Sequence, residues 1–195
     1  FLRFNFSIYN KIIEVFYPDI SFGTNTLIRG NINPDEEMFK LNFATPNLEI
    51  GENTIHKIDF QIDTKNPLYN AYVEMDSISN KYYKISDFGM INVKNNDTLY
   101  FRTEFKGGDK EQDFYNLNLY YTIDKEQNSI VGFQKSELFF KENLWFLNEE
   151  DNHDSRVVFN KSVNDMSIDN FRLSHNNQFV QFGGIIRGKD YKDFD

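Results

Sequence analysis

The sequence contains no cysteine. That excludes a disulfide framework and thiolate metal sites, and leaves the compartment open. No apolar run approaches the roughly 18 residues that a membrane helix needs, and no signal-peptide pattern is present. An excess of cations is missing too. Lys and Arg total 21 against 30 Asp and Glu, for a net charge of −9. With no basic stripe, nucleic acid is not expected as a partner, and simple electrostatic docking onto anionic headgroups is disfavoured.

The usual signatures of catalysis are also absent. His56, His153 and His175 fall in or beside predicted turns and strand ends, and none has a second ligand at a metal-site spacing. The acidic loop 149–154 (EEDNHD) lacks the alternating carboxylates and the glycine of a calcium loop. There is no G-x-S-x-G and no phosphate-cradling glycine loop. Gly107-Gly108 reads as a turn and Gly183-Gly184 as a strand feature. Paired carboxylates of the glycosidase kind are visible only in folded geometry. The expectation is a protein that is not an enzyme and holds no cofactor or metal.

Aromatic side chains, by contrast, are abundant: 21 Phe and 11 Tyr. They favour strands and bring large apolar areas. Residues 114–124 (FYNLNLYYTID) set the pattern. Tyr115, Leu117, Leu119, Tyr121 and Ile123 share one parity, and Asn116, Asn118, Tyr120, Thr122 and Asp124 the other. Period-two alternation gives a strand with one apolar and one polar face. The same pattern recurs at residues 1–9, 39–43, 56–63, 69–75, 99–105, 157–159 and 180–186. Turns are expected at 23–25, 33–35, 51–53, 66–67, 95–97 and 176–177, and in the polar loop 107–113 (GGDKEQD). Pro46-Asn47 is expected to break the run before it. Ile85 and Phe88 differ in parity, which suggests a bulge near Asp87. No segment shows a helical period over three turns. The predicted fold is therefore an almost all-β antiparallel meander.

Three arrangements can use such strands: a sandwich core, a lipid-facing barrel, or an open groove with an apolar concave wall. Many strands are short for a membrane barrel and are interrupted by proline. The similarity of Ile28-Arg29-Gly30-Asn31-Ile32 to Phe182-Gly183-Gly184-Ile185-Ile186 hints at growth by repetition.

The last third carries a more specific signal. Residues 136–188 run from Leu138-Phe139-Phe140 through Trp145, Val157-Val158-Phe159, Ile168-Asp169-Asn170-Phe171-Arg172-Leu173-Ser174 and Asn177-Gln178 to Gly184-Ile186. In order and spacing this stretch resembles the C-terminal region of the TamB family. These are envelope-spanning components of the translocation and assembly module of Gram-negative bacteria. The resemblance implies an AsmA-like, bridge-like lipid-transfer groove, the β-taco. Residues 1–129 would form a repeated groove segment and 130–195 a C-terminal-like segment continuous with it. The whole would be a fragment of a longer chain, anchored in the inner membrane by a segment outside it. The implied location is the periplasm, and the implied partners are phospholipid and an Omp85-type (TamA-like) outer-membrane barrel. The implied function is passage of acyl chains towards the outer membrane, in support of outer-membrane biogenesis. The family brings no catalytic residues.

The side chains expected to line the apolar wall are Leu99, Phe101, Phe105, Leu117, Leu119, Tyr121, Ile123, Leu138, Phe140, Val157, Phe159, Val180, Phe182 and Ile186. The facing of Phe171 and Leu173 is open by one register. Two other functions fit the strands: a scaffold whose edge strand pairs with a barrel or client strand, and a secreted glycan-binding sandwich using Trp145, Tyr120 and Tyr100.

Overall fold

A computed structural model describes residues 1–108, 110–160, 162 and 165–187, together with the backbone of 193–194. Asp109 of the predicted 107–113 loop lies outside the described residues. So do Lys161, Val163, Asn164 and Gly188 of the TamB-like stretch, and residues 189–192 and 195 of the second predicted segment. The chain is antiparallel and almost entirely β, as the alternation predicts. It divides into two compact units, one of Phe1–Val93 and Thr103–Gln112, the other of Lys94–Arg102 and Asp113–Asp195.

The first unit contains β1 (Leu2–Ser7), α1 (Asn10–Phe16), β2 (Ile20–Phe22), β3 (Leu27–Asn33), β4 (Met38–Ile50), β5 (Asn53–Asp63), β6 (Ala71–Ser79) and most of β7 (Lys84–Asn95). It also takes the 103–107 part of β8 (Thr98–Gly107). Strands follow the order β1-β3-β4-β5-β6-β7, with β2 beside the far end of β4. The helix departs from expectation. Seven residues are two turns, too few to display a period, and none of them is buried. Its anchor is polar: the Asn10 amide donates to Phe22 O at 2.5 Å and accepts from Phe22 N at 2.9 Å, replacing a strand partner. Pro18 stops the helix, because the residue before a proline avoids helical angles.

Pro46 does not end its strand. The ladder passes from Thr45↔Ile58 to Asn47↔His56 and skips Pro46 and Lys57. The next pairs of strands skip Lys57 with Asp76 and Asp76 with Asp87. Pro46 therefore stands where no backbone donor is needed. Lys57 and Asp87 have φ of 49° and 50°. A left-handed residue in a strand turns the chain so that alternation resumes on the other parity. Because the skipped positions align into a seam across β4–β7, all four strands change parity together. The Ile85/Phe88 anomaly is this seam, and it leaves the strand register unchanged.

The second unit contains β9 (Asp113–Ile123), β10 (Ser129–Phe133), β11 (Ser136–Phe140), β12 (Asn143–Leu147), β13 (Arg156–Asn160), β14 (Asp165–His175), β15 (Gln178–Arg187) and β16 (Asp193–Phe194). β10 and β11 lie end to end on one side of β9. β13 and β12 lie end to end beside them and beside β14. The result is a meander with its own seam, at Gln134-Lys135, the loop 148–155 and Asn170. Buried polar side chains hold that seam. Ser136 Oγ accepts from Asn118 N at 2.9 Å, Asn148 Nδ2 donates to Phe133 O and Asn152 O at 2.7 Å, and Ser155 Oγ donates to Asn170 O at 2.8 Å. Asn170 has φ 47°, and the β14–β15 register shifts between Ile168 and Phe171.

Aromatic rings cover glycines on facing strands in both units. A Cβ on Gly30 would lie 2.0 Å from Phe4 Cζ, and one on Gly132 2.0 Å from Tyr120 Cζ. Such pairs restore the packing that a strand glycine lacks. Tyr120 is buried and Gly89 has open space above it. Gly132→Ala should therefore lower unfolding free energy by about 1–3 kcal/mol, as overpacking does. Gly89→Ala should raise it by about 0.4–1 kcal/mol by restricting the unfolded chain. Urea melts of the two variants check both signs.

Candidate functional site

Register places the apolar residues of the first unit on one face. Ile28, Phe43, Phe60, Val73 and Met90 face each other across five strands. Thr45, Ile58, Met75 and Phe88 form the next row, and Leu48, Ile55, Ile78 and Ile85 continue beyond the seam. Phe22 pairs with Leu48, yet its ring meets that of Phe43 edge-on at 6.2 Å. The rows on either side of the seam thus share a face. Phe105 joins them, its ring stacked on Phe88 at 6.1 Å.

The other face of this unit is polar. Lys40 Nζ lies 2.7 Å from Asp63, Lys57 3.2 Å from Asp76 and Lys106 2.8 Å from Asp87. Each exposed pair contributes at most about 1 kcal/mol. Tyr69 Oη donates to Gln61 Oε1 at 3.2 Å and Tyr72 Oη to Glu74 Oε2 at 2.7 Å.

In the second unit the predicted wall residues fall on one face by register. Tyr121 and Val157 stand in one row with Val131 and Ile168, and Ile123, Phe159 and Ile186 in the next with Ser129 and Met166. Leu119 pairs with Phe133, Leu138 with Tyr115 and Trp145, and Val180 and Phe182 with Leu173 and Phe171. Leu117 lies between Tyr115 and Leu119 by alternation. Leu99 lines one recess with Tyr121 and Ile123, and Phe101 follows it on the same parity. The Phe171 and Phe133 rings meet at 5.4 Å, which fixes the open register: Phe171 and Leu173 belong to this face. Tyr115 belongs here as its parity indicates, and Phe133, Trp145 and Leu147 join it from outside the expected wall.

Tyr115, Leu138, Phe140, Trp145 and Leu173 line a recess of about 320 Å³ whose exposed wall is wholly apolar. The His175 ring lies against Trp145 at 5.0 Å.

The opposite face departs from the expected wet surface. Tyr120 is buried there, its ring over Gly132, beside Tyr100 at 6.5 Å and under the edge of His153 at 5.9 Å. That burial raises the pKa of its phenol. Ile130 and Val158 share its side of the sheet, and Phe139, Leu144, Phe146 and Phe179 make it apolar at the other end. The acidic loop 149–154 accounts for part of the difference: His153 packs on Tyr120, and Glu150 pairs with Arg172 at 3.0 Å. Trp145 and Tyr120 point to different faces, so the three suspected glycan-stacking rings do not form one platform. Among the described residues no group of three or more His, Asp or Glu side chains is placed to hold a metal.

Burial separates this face from an ordinary core. Among the described residues, the hydrophobic side chains at 9% exposure or less are Ile58, Tyr120, Ile130 and Leu147. Val180 and Phe182 are 59% and 49% exposed. A fully buried core residue touches some 6–12 others, whereas most of the aligned side chains here are only half-buried. The chain matches no protein-family model, no curated protein and no solved structure.

The polar face offers a direct check on the assignment. The hydrogen bond to Glu74, with burial and the Glu74 charge, pushes the Tyr72 pKa up to about 12 from 10.0. A folded value above the unfolded one means stability fully present below pH 10 and lost as pH rises towards 12. Glu74→Gln should move the late phenolate transition down towards 10 and flatten that alkaline loss, as read by absorbance titration and denaturant melts.

Proposed function

We propose that the protein is a lipid-transfer segment of the TamB type, which carries acyl chains along an apolar β-groove. Phospholipid would pass across the periplasm towards an Omp85-type barrel, with anchoring at the inner membrane by a segment beyond this sequence. The observation that supports this reading is the incomplete burial of apolar residues aligned on one face in each unit. A sandwich of this length would place many of them at full depth.

The physics of the reading is simple. Exposed hydrocarbon costs roughly 0.8 kcal/mol per CH₂ in water. A wall of Phe, Leu, Ile and Tyr removes much of that cost without specific contacts. A headgroup left at the open side stays hydrated, so no buried charge partner is needed. Similar rows in succession give similar affinity, which permits passage without a deep trap. The wholly apolar recess at Trp145 fits the same role, since a cavity of about 150 Å³ already holds benzene.

A second reading has its own observation. β15 carries exposed Phe179, Val180 and Phe182, and apolar side chains along a strand suit strand addition by a barrel or client. The two readings separate on whether lipid is held.

A photo-crosslinker at Leu119 should capture lipid in envelope extracts, whereas one at Glu137, on the opposite face, should not. Equal capture at both positions would contradict a one-sided wall. Leu119→Asp should fold, because Leu119 is only half-buried, and by placing a hydrated charge in the apolar lane it should abolish lipid capture by a crosslinker at Tyr121, on the same face.

A further inference from the structure

The polar face of the first unit holds a feature that the lipid reading does not use. Arg3, Asn5, Arg29, Asn31, Lys40 and Asn42 line a recess of about 370 Å³, together with Phe4 and Gly30. No carboxylate lines it, although the chain carries a net charge of −9. Register explains the grouping. Arg3, Asn31 and Lys40 face each other across β1, β3 and β4, and Asn5, Arg29 and Asn42 form the neighbouring row. Cations and amides alternate in both directions.

Neighbouring strands are about 4.8 Å apart and alternate residues about 6.8 Å along a strand. The three cations therefore spring from backbone positions within about 10 Å of one another. Lys40 is met from outside the recess by Asp63 at 2.7 Å. The Arg3 guanidinium lies over the Phe1 ring at 5.7 Å. Neither Arg3 nor Arg29 forms an ion pair among the described residues. Asn31 Oδ1 is buried with no protein partner.

We propose that this recess binds a phosphate-type oxyanion. Guanidinium forks match phosphate oxygens in pairs, and side-chain amides supply the remaining donors. Net repulsion among the cations falls when a dianion sits between them. The site lies on the face away from the apolar rows, so it stands independently of the lipid reading. Its ligand is either a free phosphate group or the phosphodiester of a lipid headgroup presented by a membrane.

The test uses the full chain, followed by NMR of the Arg side-chain and Asn amide signals. Titration with inorganic phosphate should shift Arg3, Arg29, Asn31 and Asn42 saturably, and chloride at equal ionic strength should not. Arg29→Gln should weaken binding about tenfold or more, the loss of charge-assisted hydrogen bonds. Vesicles of phosphatidylcholine with phosphatidylglycerol form the second arm. A shift of the same signals there, absent with phosphatidylcholine alone, assigns the site to an anionic headgroup, while a response to inorganic phosphate alone assigns it to free phosphate. No saturable shift with either probe, a shift matched by chloride, or full retention in Arg29→Gln would overturn the proposal.

Discussion

Backbone hydrogen bonding between neighbouring strands is the interaction on which the rest depends. So few apolar side chains reach full depth that burial cannot hold these units as it holds an ordinary core. The ladders must keep long strands in register instead, with cross-strand side-chain pairs adding roughly 0.2–1 kcal/mol each. Register is also what keeps one face apolar. A slip of one residue would send every Phe and Leu of a strand to the other side.

The two seams follow from that constraint. Thirteen uninterrupted residues of β4 would be a long flat run. Here the alternation is re-phased once in each unit, at Pro46, Lys57, Asp76 and Asp87 in the first, and at Gln134-Lys135, loop 148–155 and Asn170 in the second. In the first unit the skipped positions are charged or proline, so the break faces solvent. In the second they are closed by buried Ser136, Asn148 and Ser155. Both solutions satisfy backbone groups that the ladder leaves over.

Period-two alternation made most strands legible, and Leu119, Tyr121, Val157, Phe159 and Ile186 share a face because no seam intervenes between their rows. Sequence reading lost its footing where parity changes. Phe171 and Leu173 could not be placed because one left-handed Asn170 decides their side. Trp145 and Leu147 were hidden in a continuous apolar run, Leu144-Trp145-Phe146-Leu147, whose two faces are both apolar. Tyr120 looked wet because it shares its parity with Asn118 and Thr122. Its burial comes from Gly132 and His153, contacts that no local pattern reports. The helix α1 was missed because its reason for being is a pair of side-chain hydrogen bonds to a distant strand.

A face that is apolar over many rows is what the proposed lipid path needs. Native mass spectrometry of the full chain purified gently from an envelope tests this most directly. The account predicts adducts of phospholipid mass that disappear in a folded Leu119→Asp variant. A chain that keeps its β signature yet carries no lipid, in the wild type as in the variant, would contradict it.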